Sequence, residues 1–217
     1  MKVKFARTPV EQDAQLLEWG LERDRIVETV LRARSFYNDC TELHPKGYRF
    51  VHAYAEAGRW LRERHCINGW TVCHWNNQTA IRHDELKLRL YPVNFCSAVA
   101  DEHRSPRNLS EKGNAAEQDT FANRQMTLFE GMTRETDPRA TVVSFRGYTS
   151  LILAMNFESE YAKAEVSLPV RFSNGTFEML IKRVPLLDGQ PSSSTVPAKR
   201  ESDDVFGEIE IPIRVVS

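Results

Sequence analysis

Two adjacent carboxylates, Asp101 and Glu102, follow an apolar run with the composition of a buried strand. Further along the chain, Lys112 and Gly113 precede a segment with helical spacing that contains Arg124. Paired carboxylates suit Mg²⁺ or Mn²⁺, and the free amides of a helix amino terminus suit a phosphate. One hypothesis is therefore an enzyme that processes a phosphoester or nucleotide. It would use Asp101, Glu102 and Lys112 in catalysis and the two acids as metal ligands.

Basic residues near these acids, and in a predicted helix upstream, favour nucleic acid as a second kind of ligand. Arginine side chains pair with backbone phosphates and position a protein on a nucleic acid. The polar stretch over residues 101–115 is also longer than most loops of compact domains, and such loops are either functional or mobile. The candidate phosphate- or nucleic-acid-binding residues are Arg59, Arg62, Arg104, Arg107 and Arg124.

Two other pairings resemble catalytic sites but have plainer explanations. Glu85 and Lys87 have the Glu-x-Lys spacing of metal-dependent nucleases, yet the preceding predicted strand offers no acid to complete the site. Cys40 and His44 offer a local thiol-imidazole pairing, but they are four residues apart and lie beside a predicted turn. The chain has no Gly-x-Ser-x-Gly, His-Glu-x-x-His or Gly-x-Gly-x-x-Gly motif. No cofactor is predicted apart from Mg²⁺ or Mn²⁺ under the enzyme hypothesis.

The composition is that of an ordinary folded protein. With 29 basic and 30 acidic residues the net charge is -1, so no overall field draws the chain to nucleic acid or an anionic membrane. The apolar share of 41% is sufficient for a packed core. No membrane-length apolar run or signal-peptide pattern occurs, which predicts a cytoplasmic protein that does not contact membranes. The four unevenly spaced cysteines predict free thiols.

Helical patterns dominate the first third of the chain. Thr8, Pro9 and Glu11 form a predicted capping box with proline at the first helical position. Gly20 interrupts the apolar stripe that follows, which predicts two helices or one kinked helix. A further helix is expected over residues 47–66.

Strand patterns dominate from Gly69 onward, interrupted by one more helix. That helix is predicted from about Ala115 to Glu130, with Phe121, Gln125, Leu128 and Phe129 on its inward face. Asn174 and Gly175 predict a tight hairpin turn. The predicted strands cover residues 70–75, 79–82, 86–91, 93–100, 141–145, 151–157, 162–172, 177–181 and 209–215.

Two of these strands carry further expectations. The strand over residues 86–91 alternates leucines with polar residues, which predicts one wet face. Pro212 cannot donate a ladder hydrogen bond, which predicts that the last strand lies at a sheet edge. A polar, serine-rich stretch over residues 188–204 predicts a flexible loop before that strand.

The sequence thus predicts an α+β fold in which an amino-terminal three-helix lobe packs on a mostly antiparallel β-sheet body with one inserted helix. The lobe covers residues 1–67 and the body residues 68–217, with a strand-loop-helix insertion near 101–131, in one compact domain. Without a readable catalytic set, the favoured function is a non-enzymatic intracellular accessory protein that docks a partner. A protein partner is favoured, nucleic acid is the alternative, and the exposed edge strand offers a route to a homo-oligomer. The composition favours a prokaryotic DNA-related or defence system.

Overall fold

The computed structural model describes residues 3–75, 78–129 and 147–190 of the chain. Its helices are α1 (Pro9–Glu18), α2 (Arg23–Asn38), α3 (Tyr48–His65) and α4 (Asn114–Phe129). Its strands are β1 (Trp70–Cys73), β2 (Ala80–His83), β3 (Leu88–Asn94), β4 (Thr149–Asn156), β5 (Lys163–Ser173) and β6 (Thr176–Asp188). The predicted α+β class is confirmed.

The strands form a sheet whose order follows the chain, from β1 to β6. Neighbours are antiparallel except β3 and β4, which run parallel, and α4 lies in the connection between them. The helices cover both faces of the sheet, as alternate residues of β4 show. Leu151 and Leu153 join the core formed by α1–α3, whereas Ile152 and Ala154 join a second core with Ala116 of α4. The mostly antiparallel sheet and the inserted helix are as predicted.

The amino-terminal helices follow local signals in the sequence. The N–H of Glu11 donates to Thr8 Oγ1 over 3.2 Å, and the N–H of Thr8 donates to Glu11 Oε2, so the capping box is complete. Gly20 has a φ of +64°, which separates α1 from α2. In α3, Gly58 packs so closely on Thr79 that an added Cβ would lie 2.2 Å from its Cγ2 atom.

The prediction for the region around Pro92 is wrong. A single strand, β3, runs through this proline to Asn94, and the predicted strand over residues 93–100 gives way to turns. Nor does β3 have a wet face, because it lies between β2 and β4 and all its residues except Asn94 are buried. Glu85 and Lys87 lie in the turn before β3, so they do not share a strand face.

The inward face of α4 is also different from the prediction. Phe121 is 50% exposed, and the buried residues of this helix include Asp119 and Asn123. The amide of Asn123 donates to the carbonyls of Ser150 and Pro169, and its oxygen accepts from the N–H of Ser150, each over 2.8 Å. These bonds satisfy backbone groups where β4 and β5 diverge, which explains why a polar residue faces the sheet.

The hairpin at Asn174 and Gly175 is confirmed, and both residues have the positive φ that a tight turn needs. All four cysteines are free, as expected. No helix of the described residues has the length and apolar character needed to cross a membrane. The predicted strands at 141–145 and 209–215, the edge position of Pro212 and most of the predicted loop at 188–204 lie outside the described residues.

Candidate functional site

A cleft lies where the sheet is incomplete on one side of β3. The pairing of β2 with β3 stops at Leu90, so the carboxyl-terminal half of β3 lacks a neighbouring strand on that side. A cleft of about 580 Å³ occupies this position, between Tyr54 of α3, Gln78 and the first residues of α4. This volume is within the range of small-molecule sites.

Pro92 forms part of the cleft wall and suits this position. Along a strand, the backbone N–H and C=O groups of successive residues point to alternate sides. The N–H of Phe95 donates to the carbonyl of Met155 on β4, so the backbone of Pro92, three residues earlier, points to the opposite side, toward the cleft. Proline has no N–H to leave unpaired at such an edge. The cleft wall is thus free of one backbone donor that would otherwise need a partner.

Tyr91 also lines the cleft, while its hydroxyl oxygen is closed off from solvent. Its side chain is on the same sheet face as α4 and keeps only 4% of its exposure. The hydroxyl has no hydrogen-bond partner among the described residues. Burial, together with the nearby Asp119 carboxylate, raises the pKa of Tyr91 well above its usual value, so it stays a neutral donor.

Lys112 supplies the positive charge of the cleft. The residue is half-buried, and its Nζ atom donates to Ser110 Oγ over 3.0 Å. Burial lowers the pKa of Lys112. The ion pairs found within the described residues do not include this lysine. A partly desolvated ammonium beside a cleft favours an anionic ligand.

The amino terminus of α4 opens on the same cleft. Gly113, Asn114 and Ala115 line it. The N–H of Ala116 donates to the carbonyl of Gly113 over 3.0 Å, so the first-turn amides without an intrahelical acceptor are those of Asn114 and Ala115, and Gly113 has no side chain that could accept from them. The helix dipole adds partial positive charge at this end. These amides can therefore bind an anion next to Lys112.

A buried ion pair contacts one of the residues that line the cleft. Arg89 Nη1 lies 2.9 Å from Asp119 Oδ1, with 0% and 1% of the two side chains exposed. Arg89 Nη2 donates to Gln78 Oε1 over 2.5 Å, which fixes the side chain of a cleft residue. The Gln78 side chain also hydrogen-bonds to the Asp119 carboxylate, so it belongs to the same buried network.

The acids predicted as a metal site lie away from this cleft. Asp101 Oδ1 accepts from the N–H of His103 over 2.9 Å. Glu102 makes a two-pronged ion pair with Arg7, whose Nε lies 2.9 and 3.0 Å from the carboxylate oxygens. Lys112 lines the cleft and the two acids do not. Within the described ranges no group of three or more His, Cys, Asp or Glu side chains is placed to hold a metal, so the Asp101–Glu102 site stays a prediction.

The predicted arginines are dispersed over the surface. Arg59 pairs with Glu56 and Glu63 over 2.8 and 2.6 Å, and Arg62 donates to the carbonyl of Cys73 over 3.1 Å. The side chains of Arg104, Arg107 and Arg124 are exposed, and none of them lines the cleft. The structure thus places only Lys112, of all the predicted site residues, at the cleft.

The segment that contains the predicted acids is held in place by a second buried ion pair, between Glu165 and Arg183. Glu165 Oε2 accepts from Arg183 Nη2 over 2.7 Å and from the N–H of Ala100 over 2.8 Å. Arg183 Nη1 donates to the carbonyl of Arg104 over 3.0 Å. The loop after β3 is therefore fixed to the sheet by side chains of β5 and β6.

Cys40, which was considered and set aside as a partner of His44, contacts a different histidine. Cys40 Sγ lies 3.6 Å from His52 Nδ1, while His44 Nδ1 accepts from the N–H of Thr41 over 3.1 Å. Cys40 is 8% exposed and does not line the cleft. The pair therefore contributes nothing to this site.

Sequence reasoning missed Tyr54, Gln78 and Tyr91, which have no motif. One signal was present: Arg89 and Tyr91 interrupt the leucines of β3, and a charged residue inside an apolar strand needs a buried partner.

Comparison of the chain with protein-family models, curated proteins and solved structures finds no significant match.

Proposed function

We propose that this chain is a non-enzymatic binding protein whose cleft at the amino terminus of α4 holds a small organic anion. The observation that carries the proposal is Lys112, a half-buried lysine that lines the cleft and has no carboxylate partner among the described residues. Burying an ammonium is costly unless a negative charge accompanies it. A bound anion would supply that charge.

The chemistry of the cleft supports binding more than catalysis. Its described lining offers one ammonium, two phenols, amide groups and apolar side chains, but no carboxylate, imidazole or thiol. Those three groups are the usual proton acceptors, nucleophiles and metal ligands of active sites. The enzyme hypothesis that uses the region from Asp101 to Arg124 stays a prediction, as does the docking of a protein or nucleic-acid partner.

Titration calorimetry and thermal melts on the full chain test this function. The panel contains small phosphates and carboxylates with neutral analogues of similar shape, and anions should bind while the neutral analogues do not. Lys112→Gln should weaken anion binding by about 10-fold or more, because a hydrogen bond to a charged group contributes about 1.5–3 kcal/mol. Lys46→Gln is the matched control, since it removes an equal charge at an exposed residue outside the cleft.

Two results would contradict the proposal. One is that no anion of the panel binds or raises the melting temperature. The other is that Lys112→Gln and Lys46→Gln bind anions equally well.

A further inference from the structure

We infer that the exposed side of α1 docks a partner protein through an amphipathic helix whose apolar stripe is flanked by lysine or arginine. None of the residues on this side of α1 lines the cleft, so the inference does not depend on the function proposed above. It depends on two observations: an apolar stripe that faces solvent, and acidic side chains along both of its edges.

The apolar stripe of α1 consists of Val10, Ala14 and Leu17. Their spacing of four and three residues places them on one side of the helix. Val10 is 78% exposed and Leu17 79%, and Ala14 between them is exposed as well. On the opposite side, Leu16 and the C-cap residue Trp19 belong to the main core. Helix α1 is therefore apolar on two sides, and one of them packs against other described residues.

The local requirements of the helix do not explain this stripe. Valine has a lower helix propensity than Ala, Glu or Lys, because its branched side chain loses χ1 freedom in a helix. The N-cap is already complete through Thr8 and Glu11, so Val10 is not needed there. Single exposed apolar side chains are ordinary, whereas anchors at i, i+4 and i+7 are the pattern by which helices bind partners.

The shape of the stripe suits a second helix. Val10 and Leu17 are seven residues apart, which is a length of about 10 Å along the helix axis. The small side chain of Ala14 between them allows another backbone to approach closely. Because the other side of α1 is buried, a partner can approach from one side only, so a helix lying along the stripe fits it.

The charged side chains of α1 select the kind of helix. The sequence of α1 contains Glu11, Asp13 and Glu18 but no lysine or arginine. At about 100° per residue, Glu11 and Glu18 lie on one edge of the stripe and Asp13 on the other. All three acids are exposed. A helix with basic residues beside its own apolar stripe would thus meet opposite charges along both edges.

Two neighbouring cations offset part of this negative charge. Arg23 Nε lies 2.7 Å from Asp13 Oδ1, and Lys182 Nζ lies 4.0 Å from Glu18 Oε1. The N–H of the N-cap residue and the N–H before it donate to Glu11 and lower its pKa, so Glu11 is ionised at neutral pH. The edge formed by Glu11 and Glu18 therefore carries the larger negative charge.

A second copy of this chain is a less suitable occupant than a basic helix. Since α1 carries acids alone, pairing two α1 helices in either direction would set carboxylates against carboxylates. Like charges across such a contact weaken it.

The first experiment selects binders from a displayed library of amphipathic helical peptides. Leucines are fixed along one side of the peptide, and the flanking positions vary among Lys, Arg, Glu and Gln. The full chain and its double variant Val10→Gln with Leu17→Gln are used as baits in parallel, since glutamine preserves helix propensity. We expect peptides with Lys or Arg at the flanking positions to be enriched on the wild type and not on the double variant.

Calorimetry on an enriched peptide then tests the two features of the α1 surface separately. Leu17→Gln alone should weaken binding by about 10-fold or more, because an apolar contact is lost. Glu18→Lys should also weaken binding, and added salt should reduce the affinity of the wild type more than that of Glu18→Lys. Leu43→Gln and Glu42→Lys, exposed in the connection between α2 and α3, are matched controls and should change the affinity by less than about 2-fold.

Three outcomes would overturn the inference. If no peptide is enriched on the wild type beyond the double variant, although both melt at the same temperature, α1 has no docking surface. If peptides with acidic or neutral flanks are enriched as strongly as basic ones, the charge assignment is wrong. If the wild type sediments as a dimer and Leu17→Gln as a monomer, a second copy of the chain covers the stripe instead.

Discussion

Removal of the Asp119 carboxylate should destabilise the protein by about 3–5 kcal/mol, the usual cost of leaving a buried charge without its partner. Arg89 Nη1 lies 2.9 and 3.0 Å from the two oxygens of Asp119, and neither side chain is more than 1% exposed. In Asp119→Ala the guanidinium stays charged, because arginine is not deprotonated in proteins. Gln78 Oε1 and Ser150 Oγ remain as neutral acceptors, which keeps the loss below that of a fully isolated charge.

Urea unfolding monitored by circular dichroism measures this loss. With a slope of about 2 kcal/mol per molar, Asp119→Ala should lower the midpoint by about 2 M. Asp119→Asn keeps a neutral acceptor, so its unfolding midpoint should lie between those of the wild type and Asp119→Ala. The double variant Arg89→Met with Asp119→Leu removes both charges, so it should be more stable than Asp119→Ala alone.

An exposed ion pair provides the control. Arg59 and Glu63 are 2.6 Å apart, with 43% and 49% of their side chains exposed, so Glu63→Ala should cost less than about 1 kcal/mol. The reasoning is refuted if Asp119→Ala costs no more than Glu63→Ala, or if the double variant is less stable than Asp119→Ala.

Three further predictions concern packing and pH. Gly58→Ala should destabilise the protein by about 1–3 kcal/mol, since the added Cβ would lie 2.2 Å from Thr79 Cγ2. Chemical unfolding should also show that Thr79→Ala partly restores the lost stability. If Gly58→Ala leaves the free energy of unfolding unchanged, this packing is contradicted. Burial lowers the pKa of His65 from 6.5 to about 4, so stability present above pH 6.5 should decrease by up to about 3 kcal/mol as the pH falls to 4. His65→Gln should lose that part of the pH dependence in acid titrations of the unfolding free energy, and an unchanged profile would count against it. Burial also lowers the pKa of Lys112, so anion affinity measured by calorimetry should decrease as the pH rises through that pKa. Lys112→Arg should retain its anion affinity to higher pH. If the affinity of both proteins decreases identically with pH, a group other than Lys112 titrates.

Local signals predicted the elements that depend on local interactions. The capping box of Thr8 and Glu11 and the turn at Asn174 and Gly175 were visible because neighbouring residues satisfy their backbone groups. The α+β class followed from the change of apolar period near Gly69. These features need little information from distant parts of the chain.

The errors arose where distant contacts override local pattern. Pro92 was expected to end a strand, but β3 continues through it because β2 stops short and no donor is needed on that side. The inward face of α4 was assigned to Phe121, whereas Asp119 and Asn123 face the sheet because Arg89 and the ends of β4 and β5 need polar partners.

For the site, the sequence by itself determined that a lysine and a glycine precede the amino terminus of a helix, which is a local arrangement favourable to anions. Only the tertiary structure decided that Lys112 meets Tyr91 and Tyr54 at a cleft, and that Asp101 and Glu102 do not line it. The physical reason is that the cleft exists where one strand is shorter than its neighbour, and strand pairing is settled by contacts between residues far apart in the chain.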